Sequence, residues 1–184
     1  SAAARALKLR GIGLDEACRM TLVELVEWVK GVPASLPEEM RPMAESICES
    51  FYATAARLMD LGLGYLSLDR EAATLSTGER QRVQLARSVR NRTTGVLYVL
   101  DEPSIGLHPS NIEGLRGVMR DLIADGNSIV LVDHDTEILK DSDWLIEMGP
   151  GAGENGGAIL AQGTVPQIIE NGASKIGPFL RSLH

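Results

Sequence analysis

Asp101 and Glu102 close a short apolar run, Val96-Leu97-Tyr98-Val99-Leu100, and Pro103 follows at once. Two adjacent carboxylates at the C-terminal end of a strand stand at the edge where open α/β sheets place their ligands. In phosphoryl transfer the first acid, Asp101, can hold the Mg²⁺ that bridges nucleotide phosphates. The second, Glu102, would then orient and polarise the attacking water. An acidic pair in this position also serves as plain helix-capping or solvated-turn chemistry, and the pair alone leaves both roles open.

Ser76-Thr77-Gly78-Glu79 opens a second stretch of interest, a helical pattern running to about Arg92. Ser76 and Glu79 have capping-box spacing, each side chain able to satisfy an orphan amide at the helix start. The same geometry makes an anion site, because backbone N–H groups and the positive end of the helix dipole point outward. The motif is weak by itself and gains weight from lying about twenty residues before the acidic run. His134 follows a third apolar run, Ile129-Val130-Leu131-Val132-Asp133. An imidazole there can hydrogen-bond a transferring phosphate or the attacking water, although a lone histidine is more often structural.

These residues need elements to position them. Residues 96–100 and 128–133 read as strands, with a helix between them that places Ile112, Leu115, Met119, Leu122 and Ile123 on one face and stops at Gly126. Strand, helix and strand, with strands buried on both sides, make a parallel βαβ unit. Residues 144–148 and 158–162 read as further strands, joined by a Gly-rich loop at 149–157. Upstream, residues 20–30 and 37–60 read as helices separated by a breaker-rich stretch at 31–37, and Thr21 with Glu24 can cap the first.

Composition narrows the function classes. The chain has 184 residues, 44% hydrophobic and 23% charged, enough for one domain with a helical appendage. Aromatics at 4% argue against a stacking platform for single-stranded nucleic acid, and a net charge of -7 argues against free polyanion binding by the whole piece. Arg80, Arg82, Arg87, Arg90 and Arg92 form either a DNA-facing or partner-facing strip or a solvated helix face, and the solvated face is preferred. Trp28 and Trp144 read as core or interface residues. Cys18 and Cys48 have no metal or disulfide spacing and read as reduced packing thiols of a cytoplasmic protein. No apolar run approaches the roughly 18 residues of a membrane span, so no membrane partner is expected.

With the signature run, acidic strand, following turn and histidine in this order, the chain resembles ABC-type ATPases, and within them the UvrA-type excinuclease family. The most specific stretches are residues 95–108 and 146–154; Asp143-Trp144 and residues 161–164 also fit. The resemblance, strong over about 62–164, implies a partial ABC nucleotide-binding domain of the first of two ATPase halves. Its implied fold class is α/β with a largely parallel sheet: a helical signature subdomain at 1–74, then signature helix, Walker B strand, D-loop and H-loop at 75–184. The implied cofactors are ATP and Mg²⁺, bound in the full-length protein. Ser76, Thr77, Gly78 and Glu79 become the signature contact, Asp101 the Mg²⁺-linked acid, Glu102 the catalytic base and His134 the switch histidine. Ser104, Ile105, Gly106, Leu107 and His108 become the D-loop at the interface between modules. Implied partners are a second ATPase half of the same chain, a homodimer mate, damaged DNA and a UvrB-like helicase. No zinc is expected here, and the family's cysteine modules are placed upstream of Ser1.

Two departures qualify the resemblance. Thr77 stands where the family has a glycine, and a β-branched residue gives up both conformational freedom and close backbone approach to phosphate. The 184 residues also contain no G-x-x-x-x-G-K-[ST] stretch, so the chain is expected to be a fragment that does not turn nucleotide over alone. The alternatives are a UvrA-like paralogue protecting against DNA-binding drugs, the nucleotide-binding component of a transporter, and a non-catalytic interaction domain.

Overall fold

Capping explains where the N-terminal helices begin. In a computed structural model, which describes residues 8–91, 94–149 and 157–182, Thr21 accepts a hydrogen bond from the Glu24 amide, and the Glu24 carboxylate accepts one from the Thr21 amide. This box opens helix α2 (Leu22–Lys30). Ahead of it lie a small antiparallel ladder, β1 (Lys8–Leu9) with β2 (Ile12–Gly13), and a short helix α1 (Leu14–Arg19) that the sequence pattern does not announce. Helix α3 (Arg41–Asp60) is the longest described element and starts with Pro42 in its first turn, where a missing N–H costs nothing. The signature run opens α4 (Thr77–Asn91), and α5 (Pro109–Ala124) follows the acidic strand.

The chain divides into two compact units, one up to Leu131 and one from Val132. In the first, α2 packs on α3, and α3 packs on both α4 and α5, which also meet each other. Leu61, Leu63, Leu85, Leu115 and Leu122 are fully buried there. Helix α5 presses on the end of α3: a Cβ on Gly114 would lie 2.2 Å from the Asp60 carbonyl oxygen. Asn111 of α5 donates to the Met59 and Asp60 carbonyls at 3.3 and 3.4 Å, adding a side-chain donor to the last carbonyls of α3. The helical segment before residue 75 and the signature helix thus share one unit.

Strands β3 (Leu97–Asp101) and β4 (Ser128–Val132) pair in a ladder. The Gly95 amide donates to the Gly126 carbonyl and the Ser128 amide to the Val96 carbonyl, so the two strands set out side by side from one end, as a strand-helix-strand unit requires. Gly126, at φ +84, stops α5 as expected. One expectation needs correction: the strands are not buried on both sides. Leu97, Val99, Val130 and Val132 are all more than half exposed, and only Leu100 of β3 is buried.

The second unit begins with α6 (Thr136–Leu139) and continues with β5 (Leu145–Met148) paired antiparallel to β6 (Ile159–Gly163), then α7 (Val165–Glu170) and α8 (Gly177–Arg181). The hairpin closes through the Gly149 amide on the Ala158 carbonyl; most of its Gly-rich connection lies outside the described residues. Ile138, Ala161, Val165, Ile168 and Leu180 are buried. Glu147 anchors the loop before α8 by accepting from the Ser174 hydroxyl at 2.6 Å and the Lys175 amide at 2.9 Å. Among the described residues the strands pair two by two, with two antiparallel ladders, rather than in one continuous parallel sheet.

Candidate functional site

The capping box read from the sequence is formed. The Ser76 amide donates to Glu79 Oε2 at 2.6 Å, and the Glu79 amide donates to Ser76 Oγ at 3.2 Å. The second oxygen of Glu79 accepts a hydrogen bond from the Tyr65 hydroxyl. These bonds stabilise the ionised carboxylate, the Tyr65 hydroxyl most and the Ser76 amide next, and bring its pKa down to about 2. Glu79 is buried, so its charge is committed inward, while Ser76 and Thr77 stay exposed. At the positive end of this fifteen-residue helix the first-turn N–H groups, those of Thr77 and Gly78 among them, have no intrahelical carbonyl to bond, which favours an anion there; Thr77 is exposed and Gly78 is buried. The Thr77 hydroxyl accepts from Arg80 Nη2 at 3.3 Å, so this side chain is turned back along its own helix.

The neighbours of Gly78 leave little room for a side chain at that position. A Cβ there would lie 3.2 Å from Arg82 Nη1 and 3.3 Å from Ile105 Cγ2. Arg82 uses that space to cross to the turn after the acidic pair, where Nη1 donates to the Pro103 carbonyl at 3.3 Å and to the Ile105 carbonyl at 3.2 Å. Only 4% of Arg82 is exposed, and its Nε has no hydrogen-bond partner. Burial lowers the pKa of this guanidinium, while nearby Tyr65 and Glu79 act in the opposite direction.

The turn itself is tight. Asp101 ends β3 exposed, and Glu102 takes φ +47, a left-handed conformation that is uncommon for a non-glycine residue and concentrates at functional sites. The Ile105 amide bonds the Glu102 carbonyl at 3.1 Å, and the Leu107 amide bonds the Ser104 carbonyl at 2.9 Å around Gly106, whose φ is +72. His108 ends the turn by capping α5: its Nδ1 accepts from the Ser110 amide at 3.3 Å, ahead of Pro109 in the first helical turn. Among the described residues no group of three or more acidic, histidine or cysteine side chains could hold a metal unaided. Asp101 fits a hard divalent cation whose remaining ligands are phosphate oxygens and water, as Mg²⁺ prefers.

His134 belongs to the second unit. It is exposed, in a loop where its own amide and that of Asp135 donate to Asp133 Oδ1 at 2.8 and 2.9 Å. Ser76 to Glu79 and Asp101 to His108 lie in the first unit, where Gly78 and Arg82 meet Ile105.

This order of elements and contacts has close counterparts. No family model matches the chain. UvrABC system protein A of Thermus thermophilus is 41% identical over 175 residues, 95% of this chain and 18% of that protein. The Deinococcus radiodurans protein of the same name is 52% identical over 124 residues, 67% of this chain and 12% of its own length. The crystal structure of UvrA2 from Deinococcus radiodurans superposes with a TM-score of 0.84 at 34% identity, over 98% of this chain and 24% of that one. The chain is homologous to the UvrA-type proteins. It spans about a fifth of the length of the curated relatives it matches, and over 98% of its residues it shares the fold of a part of UvrA2.

Within this UvrA-type segment three positioning side chains escape a reading of the sequence. Tyr65 lies fourteen residues before Glu79, and no local pattern links them. Arg82 does carry a signal, lying one helical turn after Gly78 and Glu79, but its charge groups it with the arginines of a solvated face. Arg80 and Arg87 are indeed exposed, while the Arg90 side chain and Arg92 lie outside the described residues. Asn127, buried, accepts from the Val96 amide at 3.0 Å and donates to the Leu122 carbonyl at 2.9 Å, tying the start of β3 to the end of α5. Trp144, read as core or interface, is more than half exposed, and both cysteines are free thiols.

Proposed function

We propose that this chain supplies the signature half-site and the acidic pair of a UvrA-type ATPase, which in its longer form binds and hydrolyses ATP with Mg²⁺ and recognises damaged DNA in nucleotide excision repair. The observation that carries the reading is the Arg82 bridge. It sets the N-terminus of α4 beside the turn that follows Asp101 and Glu102, with Ser76, Thr77 and Ile105 exposed. This arrangement suits closure over nucleotide held by a second ATPase half, with Ser104 to His108 at the junction. The expected assembly is two halves in one chain, paired with a second copy and with a UvrB-like helicase.

The roles follow from the chemistry. Ser76 and the amides of Thr77 and Gly78 hydrogen-bond the terminal phosphate, with dipole and donors pre-aimed. Asp101 takes the cation side of the site, and Mg²⁺, when bound, neutralises charge developing on the phosphate oxygens. Glu102 orients the attacking water and draws off its proton. His134 is the phosphate-sensing histidine in this reading. The backbone at Glu102 costs of order 1–3 kcal/mol, and the hydrogen-bonded turn with its Arg82 brace overcomes it.

A paralogue with a task other than repair, such as protection against DNA-binding drugs, is the second reading. The likeness to a protein named UvrA2 and the presence of Thr77 favour it. The test for the first reading is ATP turnover by the longer protein with lesion-bearing and undamaged duplex DNA. Repair predicts ATP-dependent discrimination between the two duplexes and loss of Mg²⁺-dependent turnover in Asp101→Asn. Equal response to both duplexes, with drug tolerance dependent on the gene, would favour the paralogue.

A further inference from the structure

We propose that Tyr65 is a positioning residue of the signature site, acting through its hydrogen bond to Glu79 to hold Ser76, Thr77 and Gly78 in the arrangement that receives a terminal phosphate. The functional half of this inference rests on the ATPase reading; the structural half rests on geometry alone.

The backbone on both sides of Tyr65 is anchored. The Gly64 carbonyl accepts from the Val23 amide at 3.1 Å and the Leu66 carbonyl accepts from the Leu22 amide at 2.8 Å, so the backbone around Tyr65 is tied to the start of α2. Gly64 sits where a Cβ would lie 2.9 Å from Val23 Cγ2, which keeps that approach close. From this anchored backbone the residue, 53% exposed, spends its single polar atom on one oxygen of buried Glu79. The other oxygen of Glu79 holds the Ser76 amide. With one oxygen held by Tyr65, the carboxylate cannot swing out toward the mouth of the helix, where its charge would repel a phosphate and its oxygens would compete for the Thr77 and Gly78 amides. Tyr65 thus governs whether the helix end reads as an anion site or as a self-satisfied cap.

Tyr65→Phe removes only the hydroxyl from a half-exposed ring, so the variant is expected to fold, with a modestly lowered melting temperature. In the 184-residue chain, amide exchange measured by NMR should quicken about tenfold at Ser76 and Glu79, whose amides the capping box holds, and stay unchanged in α5. In the longer protein carrying a phosphate loop, the KM for ATP should rise about fivefold because the signature turn is less firmly held, with kcat within about twofold. Tyr65→Phe combined with Glu79→Gln should be no worse than Glu79→Gln alone, because the tyrosine acts only through that carboxylate. Unchanged exchange at Ser76 and Glu79 overturns the proposal. Faster exchange with an unchanged KM overturns its functional half while leaving the ATPase reading standing. A parent protein with no ATP turnover sinks the ATPase reading and the functional half with it, and the exchange result still decides whether Tyr65 holds the cap.

Discussion

Arg82 Nη1 donates to the Ile105 carbonyl at 3.2 Å, joining the signature helix to the acidic turn across 23 residues of sequence. The guanidinium is buried and also reaches the Pro103 carbonyl, so it braces both motifs where they meet. Arg82→Met fills similar space without donors and leaves both carbonyls short of a charged partner. It should destabilise the chain by roughly 1.5–3 kcal/mol in urea unfolding and quicken amide exchange at residues 104–107. Arg82→Lys, which keeps the charge, should lose less; equal stability of all three proteins would mean that the bridge does not brace the turn.

Glu79 sets an acid limit on the same region. Its folded pKa of about 2 lies below the ordinary value of 4.5, so ionised Glu79 favours the folded state. Its contribution is fully present above about pH 4.5 and is lost as pH falls from there toward 2. Glu79→Gln should therefore flatten the pH dependence of unfolding over that window while leaving its shape above about pH 5 unaltered. An identical acid limb in the two proteins would show that the carboxylate is not held as described.

Much of this region is legible in the sequence, and what escapes has a physical reason. The Ser76–Glu79 and Thr21–Glu24 boxes, the strand that ends at Asp101 just before Glu102, and the stop at Gly126 are local features, and all are formed. Tyr65, Arg82 and Asn127 act across 14 to 31 residues, where periodicity carries no information. Strand burial departs from expectation for a related reason: a β-branched run announces two apolar faces but not whether both are covered. Exposed Val99 and Val130 show that here they are not.

Gly114 tests the packing that presents the site. A methyl group there would meet the Asp60 carbonyl oxygen at 2.2 Å, backbone against backbone, with no side chain to move aside. Gly114→Ala gains helix propensity yet should destabilise the first unit by about 1–3 kcal/mol through forced separation of α3 and α5. Gly117, with nothing within 4 Å of its added Cβ, is the control: Gly117→Ala should stabilise or leave stability unchanged. The same melting temperature for both variants would contradict the close helix crossing.

Glu102 carries the central claim, that the acidic turn is the hydrolytic end of a UvrA-type ATPase site. The decisive measurement is steady-state ATP turnover by the full-length protein with Glu102→Gln, alongside ATP binding. Removal of a general base predicts a fall in kcat of about 10²- to 10⁴-fold with ATP affinity retained. Turnover unchanged from the parent protein would contradict the assignment.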